Sequence, residues 1–231
     1  MTKTIIAIGG GELKAKETLE IDRYIAELIK KKVGERRANA LFFPTASHDS
    51  MPYFNSFRKT YTSVFDIKVD VALMCYGEMS IDKISAKIEL ADMIYVGGGD
   101  TVFMINKWIE LGIDKMLFNA YEKGTIICGL SAGAICWFEK LYSDSKLINN
   151  EEESYNIFNG LGWLKGVICP HYNNREKDFD EIVINNFDKS YAVENNSAII
   201  FEDGLFVKSI SCGGKAYLIE NKGGILKKSI L

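Results

Sequence analysis

The pentapeptide Gly129-Leu130-Ser131-Ala132-Gly133 has the pattern G-x-S-x-G, and it constrains the fold more than any other segment. It follows a short apolar run, residues 125–128, that predicts a buried strand, and it precedes an apolar segment that can open a helix. A sharp strand-to-helix turn of this pattern is a nucleophile elbow, which exposes a serine hydroxyl. Such a turn is strained, and we expect no room for a Cβ at two positions beside the serine.

The elbow predicts chemical roles for Ser131 and for the residue after it. The N–H of Ala132 would point towards an oxyanion formed at Ser131, and the start of the following helix would add positive potential. A plain turn that carries a small hydroxyl is the alternative, because glycine, serine and alanine are common residues. The strand–turn–helix context favours a nucleophilic serine.

Two runs of three glycines, residues 9–11 and 97–99, both follow predicted strands, which is also where a dinucleotide-binding fingerprint would occur. Lys14 and Val102 stand where the last glycine of G-x-G-x-x-G is needed, and G-K-[ST] follows neither run. The sequence therefore predicts no nucleotide cofactor. The second run follows the strand before the elbow strand, so Gly98 or Gly99 can offer a second N–H to the oxyanion. A tight turn that needs positive φ is the alternative role.

A serine needs a base to be nucleophilic at neutral pH, and the chain has two histidines. His48 and His171 each follow a predicted strand, so position does not separate them. His171 is favoured because Pro170 fixes the backbone before it and because it follows the elbow, as the base does in many hydrolases. A metal site on Cys169 and His171 lacks further ligands, so we expect no metal.

The acid that would orient the histidine is left open between two residues. Asp144 gives the order Ser–Asp–His, but it lies in a polar segment, residues 142–159, that predicts a loop with at most short helices. Glu194 ends a short apolar run before a turn and another strand, where an acid is held more firmly. Chain order does not decide, because triads occur in several orders.

Apolar strands alternate with helical segments from the N-terminus to the elbow, which predicts an α/β fold with a mostly parallel, doubly wound sheet. Beyond residue 191, short runs are split by pairs such as Asp203-Gly204, so we expect antiparallel strands at one sheet edge. No repeat or linker interrupts the 231 residues, which predicts a single domain, 1–231. The predicted helices cover residues 15–33, 53–65, 81–90, 101–111, 114–121 and 177–187.

Charge and composition exclude several function classes. The net charge is −3 with acids and bases interspersed, so we expect neither a nucleic-acid surface nor a membrane-binding face. No apolar run approaches the ~20 residues that span a bilayer, and we expect no signal peptide before the first strand. The five cysteines are scattered and never form C-x-x-C, which predicts free thiols in a reducing cytoplasm.

Several motifs in this order resemble the alpha-aspartyl dipeptidase (dipeptidase E) family of serine peptidases and, more distantly, cyanophycinase. They are F-P-T-A (43–46), V-G-G-G-D-T (96–101), G-L-S-A-G-A (129–134), P-H-Y (170–172) and A-V-E-N-N-S-A (192–198). The resemblance covers most of the chain, to about Asp203. In two places the chain departs from dipeptidase E: Asp100 replaces an asparagine, and the segment after His171 is shorter and more charged.

The resemblance implies a three-layer α/β/α sandwich related to class I glutamine amidotransferases, with a serine on the elbow where those enzymes have cysteine. It implies a Ser–His–Glu triad at Ser131, His171 and Glu194, with Asp144 as the alternative relay acid. It also implies an oxyanion N–H from the loop 97–99, and a cytoplasmic protein without a cofactor.

We therefore expect a serine peptidase that hydrolyses dipeptides or very short peptides through an acyl-enzyme on Ser131. A substrate aspartate would need a basic partner, for which Arg175 is the candidate; a solvated arginine near a helix start is the alternative. An esterase or amidase with the same triad is a second hypothesis. A catalytically inactive binding protein is a third, and His171 or Glu194 lying out of reach of Ser131 would indicate it. The sequence leaves the oligomeric state open.

Overall fold

The computed structural model describes residues 1–77, 79–149 and 154–231, in which the strands form two sheets. In chain order the strands are β1 (Thr4–Ile8), β2 (Asn39–Phe43), β3 (Lys68–Val71), β4 (Met93–Val96), β5 (Ile126–Leu130), β6 (Phe138–Ser143), β7 (Asn156–Asn159), β8 (Leu164–Pro170), β9 (Lys189–Val193), β10 (Ser197–Glu202), β11 (Leu205–Ser211), β12 (Ala216–Lys222) and β13 (Ile225–Ile230). The helices are α1 (Leu19–Val33), α2 (Met51–Ser63), α3 (Ile81–Leu90), α4 (Thr101–Leu111), α5 (Ile113–Glu122), α6 (Ala132–Ile135), α7 (Ser145–Ile148) and α8 (Tyr172–Asn186).

The first sheet has the strand order β11-β10-β1-β5-β4-β2-β3. Its five strands from β1 to β3 run parallel, and β10 and β11 add antiparallel pairs at the other edge. The predicted parallel core and antiparallel C-terminal strands are therefore confirmed. β4 and β5 are buried along their whole length, as expected for apolar strands covered on both faces of a parallel sheet.

The second sheet has the order β13-β12-β9-β8-β6-β7, with β6, β8 and β9 parallel and the outer pairs antiparallel. The expectation of one sheet is wrong, because the helix after the elbow, α6, is only four residues long. The chain turns into β6 instead of crossing back to the first sheet. The predicted polar loop over 142–159 contains the end of β6, the short helix α7 and β7; residues 150–153 lie outside the described residues.

Most helices lie where the sequence predicts them, and α3 and α4 match to the residue. Asp100 caps α4, because its Oδ1 accepts the N–H of Phe103 at 3.1 Å. α1 begins later than predicted because residues before Leu19 form turns closed by local backbone bonds, such as Glu17 N–H to the Glu12 carbonyl. α8 begins earlier than predicted, directly after His171.

Three apolar clusters hold the layers together. One lies between the first sheet and the helices α1 and α2. A second joins the other face of that sheet to α3–α6 and to the second sheet, and a third packs α8 on the second sheet. In the described part of the chain, no helix combines the length and the apolar character needed to cross a membrane. This packing brings the ends of β1, β4, β5 and β8 to one edge, where the candidate site lies.

Candidate active site

Ser131 lies on a strained turn between β5 and α6, with φ 54° and ψ −111°. A positive φ is costly for a residue with a side chain, and such strain concentrates at functional sites. A Cβ on Gly129 would overlap the carbonyl of Gly133, and a Cβ on Gly133 would overlap the carbonyl of Val96. The expectation of two positions that exclude a Cβ is therefore confirmed.

His171 is the histidine that the fold brings to this serine. Its Nε2 lies 2.8 Å from Ser131 Oγ, and its backbone N–H donates to the carbonyl of Gly9 at 2.9 Å. His171 itself has φ 52°, at the junction between β8 and α8. His48 is exposed, and its ring lies 4.2 Å from the ring of Phe103, between centroids. The structure thus separates two histidines that the sequence left in equivalent positions.

The other ring nitrogen of His171 contacts an amide. Asn195 Oδ1 lies 2.5 Å from His171 Nδ1. An amide oxygen can only accept a hydrogen bond, so this contact requires the ring proton on Nδ1. The Nε2 lone pair is then free to accept the hydroxyl proton of Ser131, which is the tautomer that a general base needs.

The structure places Glu194 elsewhere than the resemblance implies. Its carboxylate accepts the backbone N–H of Lys215 at 2.8 Å and the hydroxyl of Tyr217 at 3.2 Å. Glu194 directly follows β9 and faces β12, whereas Asn195 lies in the turn that comes next and faces His171. The orienting position beside the imidazole is therefore occupied by the residue after the expected one.

Asp144 and Arg175 bind each other, and neither contacts the serine or the histidine in the described residues. Arg175 Nη2 lies 2.9 Å from Asp144 Oδ2, and the arginine side chain is only 6% exposed. The guanidinium also lies 4.6 Å from the ring centroid of Tyr155. Arg175 is therefore neither the solvated residue nor the cleft cation that the sequence suggested, because its charge is satisfied inside the fold.

The environment of His171 favours the neutral base. Burial lowers the pKa of His171 below its usual 6.5, and the hydrogen bond that its ring donates to Asn195 offsets part of this effect. Arg175 also lowers this pKa and Asp144 raises it, so the ion pair beside the site adds effects of opposite sign. At neutral pH the imidazole is ready to accept a proton.

Backbone N–H groups beside Ser131 are available for an oxyanion. Within the described residues, the N–H groups of Ala132 and Gly99 donate to no protein acceptor. Gly98 lies against the serine, since a Cβ on it would sit 3.2 Å from Ser131 Cβ, but its N–H donates to the hydroxyl of Tyr53 at 3.2 Å. The structure thus distinguishes two glycines that the sequence treated as equivalent.

Tyr53 was not identified from the sequence. Its ring packs edge-on against Phe42 at 5.2 Å, and Gly97 leaves the space that it fills. Burial raises the pKa of Tyr53 to about 12, so the hydroxyl keeps its proton at neutral pH. No sequence motif marks this residue, because its role depends on how α2 packs against the loop after β4.

Ser131 and His171 open onto a cleft of about 430 Å³. The loop after β1 and the start of α2 contribute Gly11, Glu12, Leu13, Pro52, Tyr53 and Ser56 to its walls. Among the described residues that line the cleft, none is lysine or arginine. No group of three or more histidine, cysteine or acidic residues in the described ranges could hold a metal ion.

Comparisons with known proteins find a family model and curated relatives that match this chain. The model of peptidase family S51 matches residues 5–208. The uncharacterized peptidase YgaJ of Bacillus subtilis strain 168 is 34% identical over 225 residues, covering 94% of this chain and 92% of its own length. The uncharacterized peptidase Lin0382 of Listeria innocua is 27% identical over 181 residues, covering 74% of this chain and 84% of its own.

Two crystal structures share the fold. A peptidase from an acI-B1 Actinobacterium superposes with a TM-score of 0.71 at 17% identity, covering 100% of this chain and 94% of that one. A protein provisionally described as a peptidase E, from Listeria monocytogenes EGD-e, superposes with a TM-score of 0.66 at 19% identity, covering 91% and 99%. At these identities the likeness concerns the fold alone.

Proposed function

The chain belongs to peptidase family S51, and from that premise we propose that it hydrolyses dipeptides or very short peptides with Ser131 as the nucleophile. The observation that carries the proposal is the 2.8 Å contact between Ser131 Oγ and His171 Nε2 on a strained elbow. A serine hydroxyl that faces a neutral imidazole is the arrangement that nucleophilic catalysis requires.

In the proposed reaction, Ser131 Oγ attacks the scissile carbonyl carbon while His171 Nε2 takes the hydroxyl proton. The tetrahedral intermediate collapses, the imidazolium gives this proton to the leaving amine, and an acyl-enzyme ester remains on the serine. Water then attacks the ester with His171 as base, which releases the acid product and restores the hydroxyl.

The proposed oxyanion hole uses the N–H of Ala132 and the N–H of Gly99. We assign the second donor to Gly99 because the N–H of Gly98 is already donated to Tyr53. Each such donor is worth about 3 kcal/mol of barrier in other hydrolases. The helix α6 has only four residues, so its N-terminus adds little positive electrostatic potential. The two N–H groups themselves would therefore stabilise the oxyanion.

We propose Asn195 as the third member of the triad, in place of the acids suggested by the sequence. An amide fixes the ring orientation and the tautomer, as the asparagine of papain-like Cys–His–Asn sites does. It supplies no negative charge to stabilise the imidazolium. The low pKa of His171 fits a site that orients the base without a carboxylate partner.

Specificity for N-terminal aspartate is not favoured by the site. A substrate carboxylate needs a cation in the cleft, and Arg175 is bound to Asp144 instead. An esterase or amidase with the same residues is the alternative activity. Of the two signs named for a binding protein, one is met and one is not. Glu194 is turned towards Lys215 and Tyr217, but His171 lies within reach of Ser131, and Asn195 contacts the histidine where Glu194 was expected.

A hydrolysis panel on the unmodified protein and on Ser131→Ala tests the proposal. The panel contains dipeptides with acidic, neutral and basic first residues, tripeptides, and short-chain esters. We expect the unmodified protein to cleave dipeptides without preference for an N-terminal aspartate, and we expect Ser131→Ala to have lost this activity. Serine-dependent cleavage of esters alone would replace the peptidase by an esterase, and serine-independent hydrolysis would contradict the mechanism.

A further inference from the structure

We propose that Glu12 forms a subsite for an ammonium group of the substrate, at the mouth of the cleft that contains Ser131. This inference rests on the proposed function, and it names the charge of the substrate. The ammonium has two sources in a short peptide, the α-amino group and a lysine side chain. Both are the same ligand chemistry for a carboxylate.

The backbone on both sides of Glu12 is held in place. The carbonyl of Gly10 accepts the N–H of Asn196 at 2.9 Å, and the carbonyl of Gly9 accepts the N–H of His171 at 2.9 Å. On the other side, the side chain of Leu13 is buried in the core. The loop is thus tied to the same segments that position the histidine, so Glu12 keeps a defined place relative to Ser131.

The carboxylate of Glu12 is itself partly oriented. Its Oε1 accepts the backbone N–H of Lys14 at 2.9 Å. The backbone N–H of Glu12 donates to Glu17 Oε2 at 2.9 Å. Within the described residues, Oε2 of Glu12 accepts no protein hydrogen bond. One oxygen therefore fixes the side chain, and the other can accept a hydrogen bond from a ligand.

Glu12 decides the electrostatic character of the cleft. Lysine and arginine are absent from the described lining, and burial keeps His171 neutral. The charge of Glu12 reaches the hydroxyl of Tyr53, whose pKa it raises further. Tyr53 in turn contacts Gly98, which lies against the serine, so the carboxylate acts on a group beside the reaction centre. A cationic substrate group is attracted there and an anionic one is repelled.

Calorimetric titration of short peptides into Ser131→Ala measures the subsite without turnover. The ligands are Ala-Ala, N-acetyl-Ala-Ala and N-acetyl-Lys-Ala. Comparing Ala-Ala with N-acetyl-Ala-Ala isolates the α-ammonium. Comparing N-acetyl-Lys-Ala with N-acetyl-Ala-Ala isolates the side-chain ammonium. Each is titrated into Ser131→Ala, into Ser131→Ala with Glu12→Gln, and into Ser131→Ala with Glu20→Gln. Glu20 is the matched control, because it is an exposed acid near the loop that does not line the cleft.

We expect at least one ammonium-bearing ligand to bind Ser131→Ala about tenfold more tightly than N-acetyl-Ala-Ala, in keeping with a charge-assisted hydrogen bond. Glu12→Gln should remove that ratio, chiefly by weakening the ammonium-bearing ligand, and Glu20→Gln should preserve it. A free α-amino preference identifies an N-terminal subsite, and a lysine preference identifies a side-chain subsite.

An unchanged ratio in Glu12→Gln would overturn the inference, and so would the absence of binding by all three ligands. Failure of the peptidase proposal gives a different result. In that case the unmodified protein hydrolyses no member of the panel, while the titrations still show a preference for the ammonium that depends on Glu12.

Discussion

Asn195 is the side chain that contacts the proposed base, through the 2.5 Å distance between its Oδ1 and His171 Nδ1. Asn195→Ala leaves the ring free to rotate and to change tautomer, so we expect kcat/KM on a dipeptide to fall by about 100-fold or more. Glu194→Gln keeps an oxygen for the N–H of Lys215, and its amide NH₂ can donate to the hydroxyl of Tyr217, so this variant should leave kcat/KM nearly unchanged. A larger loss in Glu194→Gln than in Asn195→Ala would show that the resemblance, and not the geometry, identifies the third residue.

The pH profile distinguishes a neutral orienting residue from an acidic one. Protonated His171 cannot act as a base, and burial lowers its pKa, so the acid limb of kcat/KM should have its midpoint below 6.5. Asn195→Asp places a carboxylate beside Nδ1, which stabilises the imidazolium and should raise this midpoint by about one pH unit or more. A limb that does not move in Asn195→Asp would mean that His171 is not the titrating base.

Residues with a strong local signature could be predicted from the sequence, and residues defined by distant partners could not. The glycines around Ser131 marked the elbow, because only they fit its backbone. The motif A-V-E-N-N-S-A contains both Glu194 and the proposed third member, Asn195, but it does not tell which of them faces the histidine. Arg175 looked free because its partner, Asp144, comes from a distant segment of the chain.

At the scale of elements, the loop after β1 closes against the loop after β9 and the start of α8. Gly10 lies at this contact, and a Cβ there would overlap both Asn195 Oδ1 and His171 Nδ1. Gly10→Ala should therefore displace the pair and lower kcat/KM by about tenfold or more, with a stability loss of about 1–3 kcal/mol from overpacking. Full activity in a folded Gly10→Ala protein, checked by kinetics and urea unfolding, would contradict the described contact.

Elements with strong periodicity and caps were predicted well, and their assembly was not. α3 and α4 match to the residue because hydroxyl or carboxylate caps define their first turns. The second sheet could not be predicted, since nothing in the apolar run after Ser131 shows that the helix ends at Ile135. α8 starts early because His171 is its cap residue in a left-handed conformation, which no pattern in that polar segment indicates.

At the scale of the whole molecule, one buried acid is predicted to control the pH dependence of stability. Asp22 is 1% exposed, and it accepts hydrogen bonds of 2.8 Å from Thr18 Oγ1 and from the hydroxyl of Tyr61. Burial raises the pKa of Asp22 from 3.8 to about 6, against the action of these two hydrogen bonds. The folded state therefore binds the proton more tightly than the unfolded chain does.

Because the folded pKa is the higher one, Asp22 lowers the free energy of unfolding as pH rises from about 4 to about 6. The loss approaches about 3 kcal/mol above this window. Asp22→Asn carries no charge, so its stability relative to the unmodified protein should increase across the same window and stay constant above it. Urea unfolding of both proteins from pH 4 to 7 measures this difference, and a difference independent of pH would contradict a raised pKa.

The single domain, the cytoplasmic location and the kinship with class I glutamine amidotransferases stay predictions from sequence and resemblance. The most direct test of the central claim, that His171 activates Ser131, needs no knowledge of the substrate. It is intact-mass and peptide mass spectrometry after treatment with a fluorophosphonate, which phosphonylates activated serines. We expect one adduct per chain, on Ser131, that is lost in His171→Ala and forms much more slowly in Asn195→Ala. An unlabelled protein, or an adduct on another residue, would contradict it.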